Sequence, residues 1–178
     1  MKIFAIILFV SSIISPSIYE DEKIIWTEDY KLTWSDFKAP HRKGVSYVAS
    51  TSSGMSFSYS YSDKNGEIDL KITVHSNFYP ESSWVNPAEA SDYILAHEQA
   101  HFDISEIHAR ILRKKISETT FSKNVKKELT TLYNRVDKKR VAMQRLFDKE
   151  SDHSKIKAKE LEWEANIKKQ LLHYDPWK

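Results

Sequence analysis

The sequence predicts an α+β fold in which a small antiparallel β-hairpin in the N-terminal half packs on three helices in the C-terminal half. Alternating apolar and polar residues in the later part of Val45 to Tyr61, and again from Ile68 to Val74, predict the two hairpin strands. Three long segments with apolar residues at three-to-four spacing predict the helices. Only three glycines are present, which suits a helix-rich domain with few tight turns.

Composition places the chain among ordinary folded domains. Its 178 residues are 40% hydrophobic and 29% charged, a size and balance that one domain accommodates. The formal net charge is only +2, and basic residues alternate with acidic ones. Since proteins that bind nucleic acid or anionic membranes concentrate positive charge, we expect no nucleic-acid partner.

The N-terminus has the pattern of an export signal. Lys2 precedes an apolar run from Ile3 to Val10, and the small residues Ser15 and Ser17 flank Pro16. The run is shorter than the roughly 20 residues that cross a bilayer. We therefore expect cleavage after Ser17, with an uncleaved anchor as the alternative.

This export signal divides the chain into a signal peptide over residues 1–17 and a single domain over residues 18–178. We expect a secreted or periplasmic protein with no stable membrane insertion after cleavage. The chain contains no cysteine, so disulfides cannot brace the exported domain. Its stability must come from the core and from any bound metal.

Short apolar segments open the N-terminal half. Ile24 to Trp26 predicts a short strand, and Leu32 to Phe37 predicts a hydrophobic plug that anchors the N-terminus to the core. Within that plug, Ser35 is placed to cap a helical turn. In the hairpin that follows, Asp63-Lys64-Asn65-Gly66 supplies the turn and the serine-rich face is expected to face solvent.

The first helix is predicted to begin at Asn86 and to continue to about Ile116. Asn86 is the predicted N-cap, Pro87 occupies the first helical position, and Glu89 completes a capping box. No glycine or proline interrupts the segment that follows.

Two further helices are predicted, from about Ser122 to Lys149 and from Lys155 to about Leu172. The second helix has an apolar stripe formed by Val125, Leu129, Leu132, Val136, Met143 and Leu146. The third helix has an apolar stripe formed by Ile156, Trp163, Ile167 and Leu171. These stripes are expected to face the core.

The first helix carries the pattern H-E-x-x-H, formed by His97, Glu98 and His101. Residues four apart lie on the same face of a helix, so the two imidazoles can share one ion. Zinc suits such ligands, and a neighbouring glutamate can act as general base towards a water molecule. This spacing predicts a zincin-like helix with zinc bound by the histidines and Glu98 as the catalytic residue. Two buried histidines that hydrogen-bond to main-chain carbonyls are the alternative.

A catalytic zinc site needs a third protein ligand. His108 lies on the same face but about 10 Å further along the helix, so we exclude it as a ligand. If the second helix folds back on the first, residues beyond about 140 lie level with the motif. We favour His153 as the third ligand and keep three nearby carboxylates as alternatives: Asp148, Glu150 and Asp152.

Four segments carry a further signal. They are Leu32 to Phe37, Ser83 to Val85, His97 to Asp103, and Phe147 to Ser154 followed by Trp163 and Ile167. Together they resemble a bacterial family of predicted secreted zinc-dependent proteases, catalogued as domain of unknown function 922. The last segment is similar to the family pattern Y-D-x-E-T-x-H-G, from which it departs at Phe147, Ser151 and Ser154 while keeping a histidine at His153. The resemblance supports the zinc site more than it supports any particular substrate.

These observations predict an exported zinc-dependent hydrolase that acts on a peptide or protein substrate. A peptidase is the preferred class, and an edge strand beside the zinc would let an extended peptide bind by strand addition. The alternative is a non-catalytic envelope domain that binds a partner and keeps a structural or vestigial metal site.

Overall fold

Three helices and a long β-hairpin account for most of the fold, which confirms the α+β prediction. The computed structural model describes residues 22–64 and 67–178. The predicted signal peptide over residues 1–17 and the turn residues Asn65 and Gly66 lie outside the described residues. Within the described part of the chain, no helix is both long and apolar enough to cross a membrane.

The strands form two small antiparallel sheets. The described strands are β1 (Ile24–Ile25), β2 (Ala49–Ser50), β3 (Ser53–Lys64), β4 (Glu67–Phe78) and β5 (Trp84–Val85). In the larger sheet the order is β1-β4-β3, and β3 pairs with β4 residue for residue along its whole length. In the smaller sheet β2 pairs with β5. Both the first strand and the hairpin were therefore predicted correctly.

The helices are α1 (Asp92–Ser117), α2 (Val125–Ser151) and α3 (Lys157–His173). The central one is α1, which contacts both hairpin strands as well as α2 and α3. Its buried face is broad, because sheet and helices cover it from different sides. The three motif residues His97, Glu98 and His101 are therefore buried.

The prediction that α1 begins at the segment from Asn86 to Glu89 is wrong. The main-chain N–H of Asn86 donates to the carbonyl of Val48 at 2.8 Å, which extends the pairing of β2 with β5 and holds this segment outside the helix. The N-cap is Ser91, whose hydroxyl accepts from the N–H of Ile94 at 3.3 Å. The sequence contains two capping signals in succession, and the strand pairing selects the later one.

The strand pattern in the second half of Val45 to Tyr61 forms β3, and the chain before it breaks between β2 and β3 at Thr51 and Ser52. The hydroxyl of Ser83 accepts from the N–H of Ser52 at 2.9 Å, so the chain leaves one sheet and enters the other. The hydroxyl of Thr51 donates to the carbonyl of Glu98 at 3.2 Å. This break brings the segment before β3 against the start of α1.

Three smaller predictions fail for local reasons. The 3-10 helix Trp34–Asp36 is capped by Thr33, whose N–H donates to Asp36 at 2.7 Å, so Ser35 lies inside the turn. Leu146 is exposed, because α1 and α3 cover the neighbouring stripe that contains Phe147. Ile156 is exposed because it lies in the bend before α3.

Hydrogen bonds anchor to α1 both the plug, Leu32 to Phe37, and Trp26 in the segment before it. The indole N–H of Trp26 donates to Asp103 at 2.7 Å, and Gln99 accepts from the N–H of Leu32 at 2.9 Å. Gln99 also donates to Asp103 at 2.8 Å. Because Gln99 and Asp103 belong to the segment of the H-E-x-x-H motif, the same helical turns fix both the N-terminal segment and the histidines.

Candidate metal centre

His97 and His101 project from successive turns of α1 toward α2 and α3, and both are buried. Their Nε2 atoms lie 3.2 Å apart. This separation follows from the spacing of four residues, which places the two side chains one above the other. The pair therefore presents two imidazole nitrogens to a single point.

Asp148 meets this pair from the last turns of α2. Its Oδ1 lies 2.9 Å from Nε2 of His101 and 3.2 Å from Nε2 of His97. One turn earlier on α2, the side-chain amide of Gln144 donates to the carbonyl of His101 at 3.2 Å. The expectation that the late part of the second helix lies level with the motif is thus confirmed.

The three atoms fit the chemistry of a divalent metal ligand set. Around an ion with bonds of roughly 2.0 to 2.1 Å, tetrahedral ligand atoms lie about 3.3 Å from one another. The separations among His97, His101 and Asp148 are 3.2, 2.9 and 3.2 Å. Two imidazoles and one carboxylate also match the donor types that zinc accepts in catalytic sites.

Glu160 on α3 supports His97 from the opposite side of the imidazole ring, a role that no sequence motif predicted. Its carboxylate oxygens lie 3.0 and 3.1 Å from Nδ1 of His97, and its side chain is fully buried. A carboxylate on one imidazole nitrogen leaves the other nitrogen free to bind a metal. The signal was available, because Glu160 lies on the same helical stripe as Trp163 and Ile167, where a buried charge needs a partner.

When no cation is present, the two carboxylates of the cluster favour a protonated histidine. Burial by itself lowers the pKa of His97, but hydrogen bonds to Asp148 and Glu160 outweigh it and raise that pKa to about 9. Burial raises the pKa of Asp148, yet the hydrogen bonds from His101 and His97 hold it well below its usual range. Two carboxylates thus favour positive charge at this point, which either a proton or a metal ion supplies.

Phe147 forms the apolar floor beneath both imidazoles. Its ring stacks on His97 with centroids 4.4 Å apart, and it lies 5.2 Å from the ring of His101. Trp163 packs against its other side at 5.5 Å. This fully buried phenylalanine, which departs from the tyrosine of the family pattern, restricts the rotation of both histidines.

His153, the third ligand favoured from the sequence, lies at the mouth of the cluster. Its Nδ1 is 3.5 Å from Oδ1 of Asp148, and its side chain remains 39% exposed. His97, Asp148 and His153 each offer one possible ligand atom, a ring nitrogen or a carboxylate oxygen, and these three atoms lie within 4.8 Å of one another. The structure thus brings both Asp148 and His153 to the motif, with Asp148 closer to the two histidines.

A left-handed bend places His153 there. Asp152, His153 and Ser154 have φ values of 47°, 50° and 70°, a conformation that costs L-residues roughly 1 to 2 kcal/mol each. The hydroxyl of Tyr93 donates to the carbonyl of Ser154 at 2.8 Å and holds the bend against α1. Tyr47 stacks on the imidazole of His153 with centroids 5.0 Å apart. Strain of this kind concentrates at functional sites.

The other residues considered as zinc ligands, Glu150, Asp152 and His108, have different partners. Glu150 accepts from the indole N–H of Trp163 at 2.8 Å, and the exposed Asp152 lies 3.7 Å from the ammonium group of Lys155. His108 hydrogen-bonds through Nδ1 to the carbonyl of Ile104 at 2.8 Å, as expected for a buried histidine outside the site. Burial lowers the pKa of His108, with the Ile104 carbonyl opposing the shift.

Glu98 borders a cleft of about 310 Å³ that His97 and His101 also line. Its Oε2 is buried and has no hydrogen-bond partner among the described residues, and the same holds for Nδ1 of His101. A buried carboxylate oxygen without a donor is costly, so its position needs a ligand or water to complete it. The cleft wall opposite α1 comes from the segment Ser46–Thr51.

The chain was compared with protein families, curated proteins and solved structures. Residues 30–154 match the model of a family described as bacterial protein of unknown function (DUF922). No curated protein and no solved structure matches the chain. The matched residues include the plug, the H-E-x-x-H helix, Asp148 and His153, and they end before Glu160. The chain belongs to this family of bacterial proteins of unknown function.

Proposed function

We propose that this protein is an exported zinc-dependent hydrolase, and a peptidase in preference to other hydrolases. The observation that carries the proposal is the set of separations among His97 Nε2, His101 Nε2 and Asp148 Oδ1, all between 2.9 and 3.2 Å. These distances suit three ligands of one small ion. His153, which the sequence predicts as the third ligand in place of Asp148, lies partly exposed beside that carboxylate.

The residues around the cluster have separate roles in this proposal. Glu160 would hold the proton on Nδ1 of His97, so that Nε2 keeps its lone pair for the metal. Phe147 fixes the two rings, and Gln144 fixes the main chain at His101. Zinc bound there would supply Lewis-acid activation of a water molecule and of the substrate carbonyl.

Glu98 is the proposed general base. Its side chain is buried beside the cleft, and its Oε2 has no hydrogen-bond partner among the described residues, so this oxygen can accept a proton. A proton taken from water at Oε2 would pass to the leaving amine of a cleaved peptide. The residue therefore needs a carboxylate, and an amide in its place would be inactive.

The second candidate is a partner-binding envelope domain without catalysis. One observation favours it: the histidine cluster is already stabilised without a metal, since a proton on His97 pairs with Asp148 and Glu160. A domain that no longer hydrolyses anything could keep this cluster for stability alone. The two candidates differ in what Glu98 contributes.

Metal analysis of the purified protein, combined with a Glu98→Gln variant, separates the two candidates. The proposal expects one zinc per chain in both proteins, and peptide cleavage by the wild type that Glu98→Gln abolishes. Cleavage would be measured by mass spectrometry on a mixed peptide library, with a chelated sample as control. A folded wild-type protein that binds no zinc contradicts the zinc proposal. One that binds zinc but cleaves nothing favours the binding domain.

Export is part of the same proposal and has its own measurement. The N-terminal sequence of the protein recovered outside the bacterial cytoplasm should begin at Ile18 if residues 1–17 are a cleaved signal peptide. A protein that keeps Met1 in a cytoplasmic fraction contradicts this part without affecting the metal centre.

A further inference from the structure

The outer edge of β3 opens into a groove at the end of the hairpin that lies far from the metal centre. In the sheet order β1-β4-β3 the strand β3 has a free edge, and α2 runs beside it. Along α2, the groove residue Lys127 is about 30 Å from Asp148, at 1.5 Å per residue. The groove therefore does not belong to the cleft at the histidines.

The direction of the main-chain groups on β3 follows from contacts of the sheet. On β4, the carbonyl of Ser76 accepts from the N–H of Trp26 at 3.0 Å, so Ser76 faces β1 and away from β3. Its partner Met55 must then face away from β4, because opposite residues of an antiparallel pair either exchange hydrogen bonds or both point outward. Every second residue from Met55 onward, including Tyr59 and Tyr61, presents its N–H and carbonyl to the free edge.

Side chains of α2 cover this edge near the metal centre and leave it open further out. Arg140 donates to the carbonyl of Ser53 at 2.9 Å, and the hydroxyl of Tyr133 donates to the carbonyl of Met55 at 2.8 Å. Within the described residues, no group is bonded to this edge at Tyr59 or Tyr61. An open strand edge is a template for pairing with another chain.

The groove beside the open edge has about 560 Å³ of space. Its described lining contains two tyrosines, three lysines and no acidic residue: Tyr59, Tyr61, Lys123, Asn124, Lys126, Lys127, Thr130 and Thr131. The rings of Tyr59 and Tyr61 are nearly parallel with centroids 6.4 Å apart, and Tyr61 is 51% exposed. Lys126 and Lys127 on α2 make this lining basic, and the two tyrosines make it aromatic.

We propose that this groove binds an extended acidic peptide segment of a protein partner, which adds a strand to the free edge of β3 at Tyr59 and Tyr61. An open row of main-chain donors and acceptors is useful only to a partner with its own peptide groups, which favours a polypeptide over a nucleic acid or a polysaccharide. The lysines on α2 select acidic side chains on the face of the incoming strand that points to the helix. From Phe57 to Tyr61 the edge spans about 14 Å, enough for four or five residues.

Fluorescence anisotropy of the purified protein in excess chelator tests this site independently of any metal. The probe is a fluorescein-labelled decapeptide of alternating valine and glutamate. We expect saturable binding, and binding at least about tenfold weaker for two controls: alternating valine and lysine, and the acidic sequence with every amide N-methylated. The first control reverses the charge, and the second removes the main-chain donors.

Two protein variants locate the site. Lys126→Glu/Lys127→Glu should weaken binding of the acidic peptide by about tenfold. The control Lys138→Glu/Lys139→Glu makes the same charge change further along α2 and should bind the peptide normally. Tyr61→Pro removes one outward N–H, which an edge strand tolerates, and should also weaken binding. The charge variant keeps the test decisive if Tyr61→Pro fails to fold.

Four results would overturn the proposal. They are absence of saturable binding, equal loss in both lysine variants, undiminished affinity of the N-methylated peptide, and tighter binding of single-stranded poly(dT) through Lys126 and Lys127. The last result would assign the groove to a nucleic acid.

Discussion

Both carboxylate oxygens of Glu160 contact Nδ1 of His97, at 3.0 and 3.1 Å, across the interface between α3 and α1. Neither side chain has appreciable exposure to solvent, so the contact is not screened by water. The third helix thus contacts a histidine of the proposed metal centre through Glu160, although it contributes none of the three clustered atoms. Positioning of the histidine is the function we assign to this contact.

The first prediction concerns Glu160→Gln. The amide keeps the shape and can still accept from Nδ1–H, but it removes the negative charge that strengthens Nε2 as a ligand. Zinc affinity should fall about 10-fold to 100-fold, the usual effect of losing such a carboxylate. Competition with a chromogenic chelator measures it, and Glu162→Gln, on the exposed side of α3, is the matched control. Equal affinity in both variants would contradict the positioning role.

The second prediction concerns the hydrogen bond that ties Trp26 to Asp103 on α1. Trp26→Phe keeps most of the ring but leaves the largely buried Asp103 with Gln99 as its remaining side-chain donor. We expect a loss of about 1 to 3 kcal/mol in the free energy of unfolding, because a buried carboxylate loses a donor. Urea titration measures this loss.

The matched control for this prediction is Trp163→Phe. The indole N–H of Trp163 donates to the exposed Glu150, whose carboxylate water can solvate after the change. Its cost should therefore be smaller than that of Trp26→Phe. A larger cost for Trp163→Phe would mean that ring packing, and not the hydrogen bond to Asp103, holds Trp26 against α1.

The third prediction concerns pH and His108. Burial lowers its pKa in the folded state below the ordinary value of 6.5, and Arg140 and Lys139 lower it further, while the Ile104 carbonyl and Asp137 oppose the shift. Below pH 6.5 His108 therefore binds a proton more readily in the unfolded chain than in the folded one. Stability from the neutral His108 is fully present above pH 6.5 and is lost as the pH falls.

His108→Leu should remove this dependence. In chelator, the difference in unfolding free energy between pH 7.5 and pH 5.5 should shrink by up to about 1.4 kcal/mol relative to the wild type. His173→Gln, at an exposed histidine, is the control for removing a histidine elsewhere on the surface. An unaltered slope in His108→Leu would show that other groups carry the acid sensitivity.

The parts of the fold that follow from local patterns were predictable. The alternation in the hairpin and the three-to-four spacing in the helices depend only on which face meets the core, and both appear as expected. The start of α1 was not predictable, because Asn86 and Ser91 are both good caps and a strand contact with Val48 decides between them. A local pattern contains no information about that distant partner.

The candidate site also has a part that follows from local sequence and a part that depends on distant contacts. His97, Glu98 and His101 are close in sequence, and their arrangement follows from helix geometry alone. Asp148 was one of four residues near the end of the second helix that were expected level with the motif. Helix length alone does not distinguish among these four. The left-handed turn at Asp152 to Ser154 decides where His153 points, yet those residues rarely adopt this conformation. Glu160 needed the packing of α3, which no motif describes.

The last prediction decides between Asp148 and His153 as the third ligand. Oδ1 of Asp148 lies 2.9 and 3.2 Å from the two Nε2 atoms, whereas His153 approaches only Asp148, at 3.5 Å, from a partly exposed position. Because a ligand in direct contact with the ion contributes more than a group at its edge, Asp148→Asn should weaken zinc binding by at least about 100-fold. His153→Ala should weaken it by about tenfold or less.

Zinc competition assays on both variants measure these changes, and thermal unfolding with and without zinc provides a second reading. A bound metal stabilises the native state by mass action, so the shift in midpoint should nearly vanish in Asp148→Asn and persist in His153→Ala. His108→Leu serves as the control for a buried histidine outside the cluster and should keep its zinc. The reverse pattern, loss in His153→Ala and retention in Asp148→Asn, would make His153 the third ligand, as the sequence predicts, and Asp148 its hydrogen-bond partner.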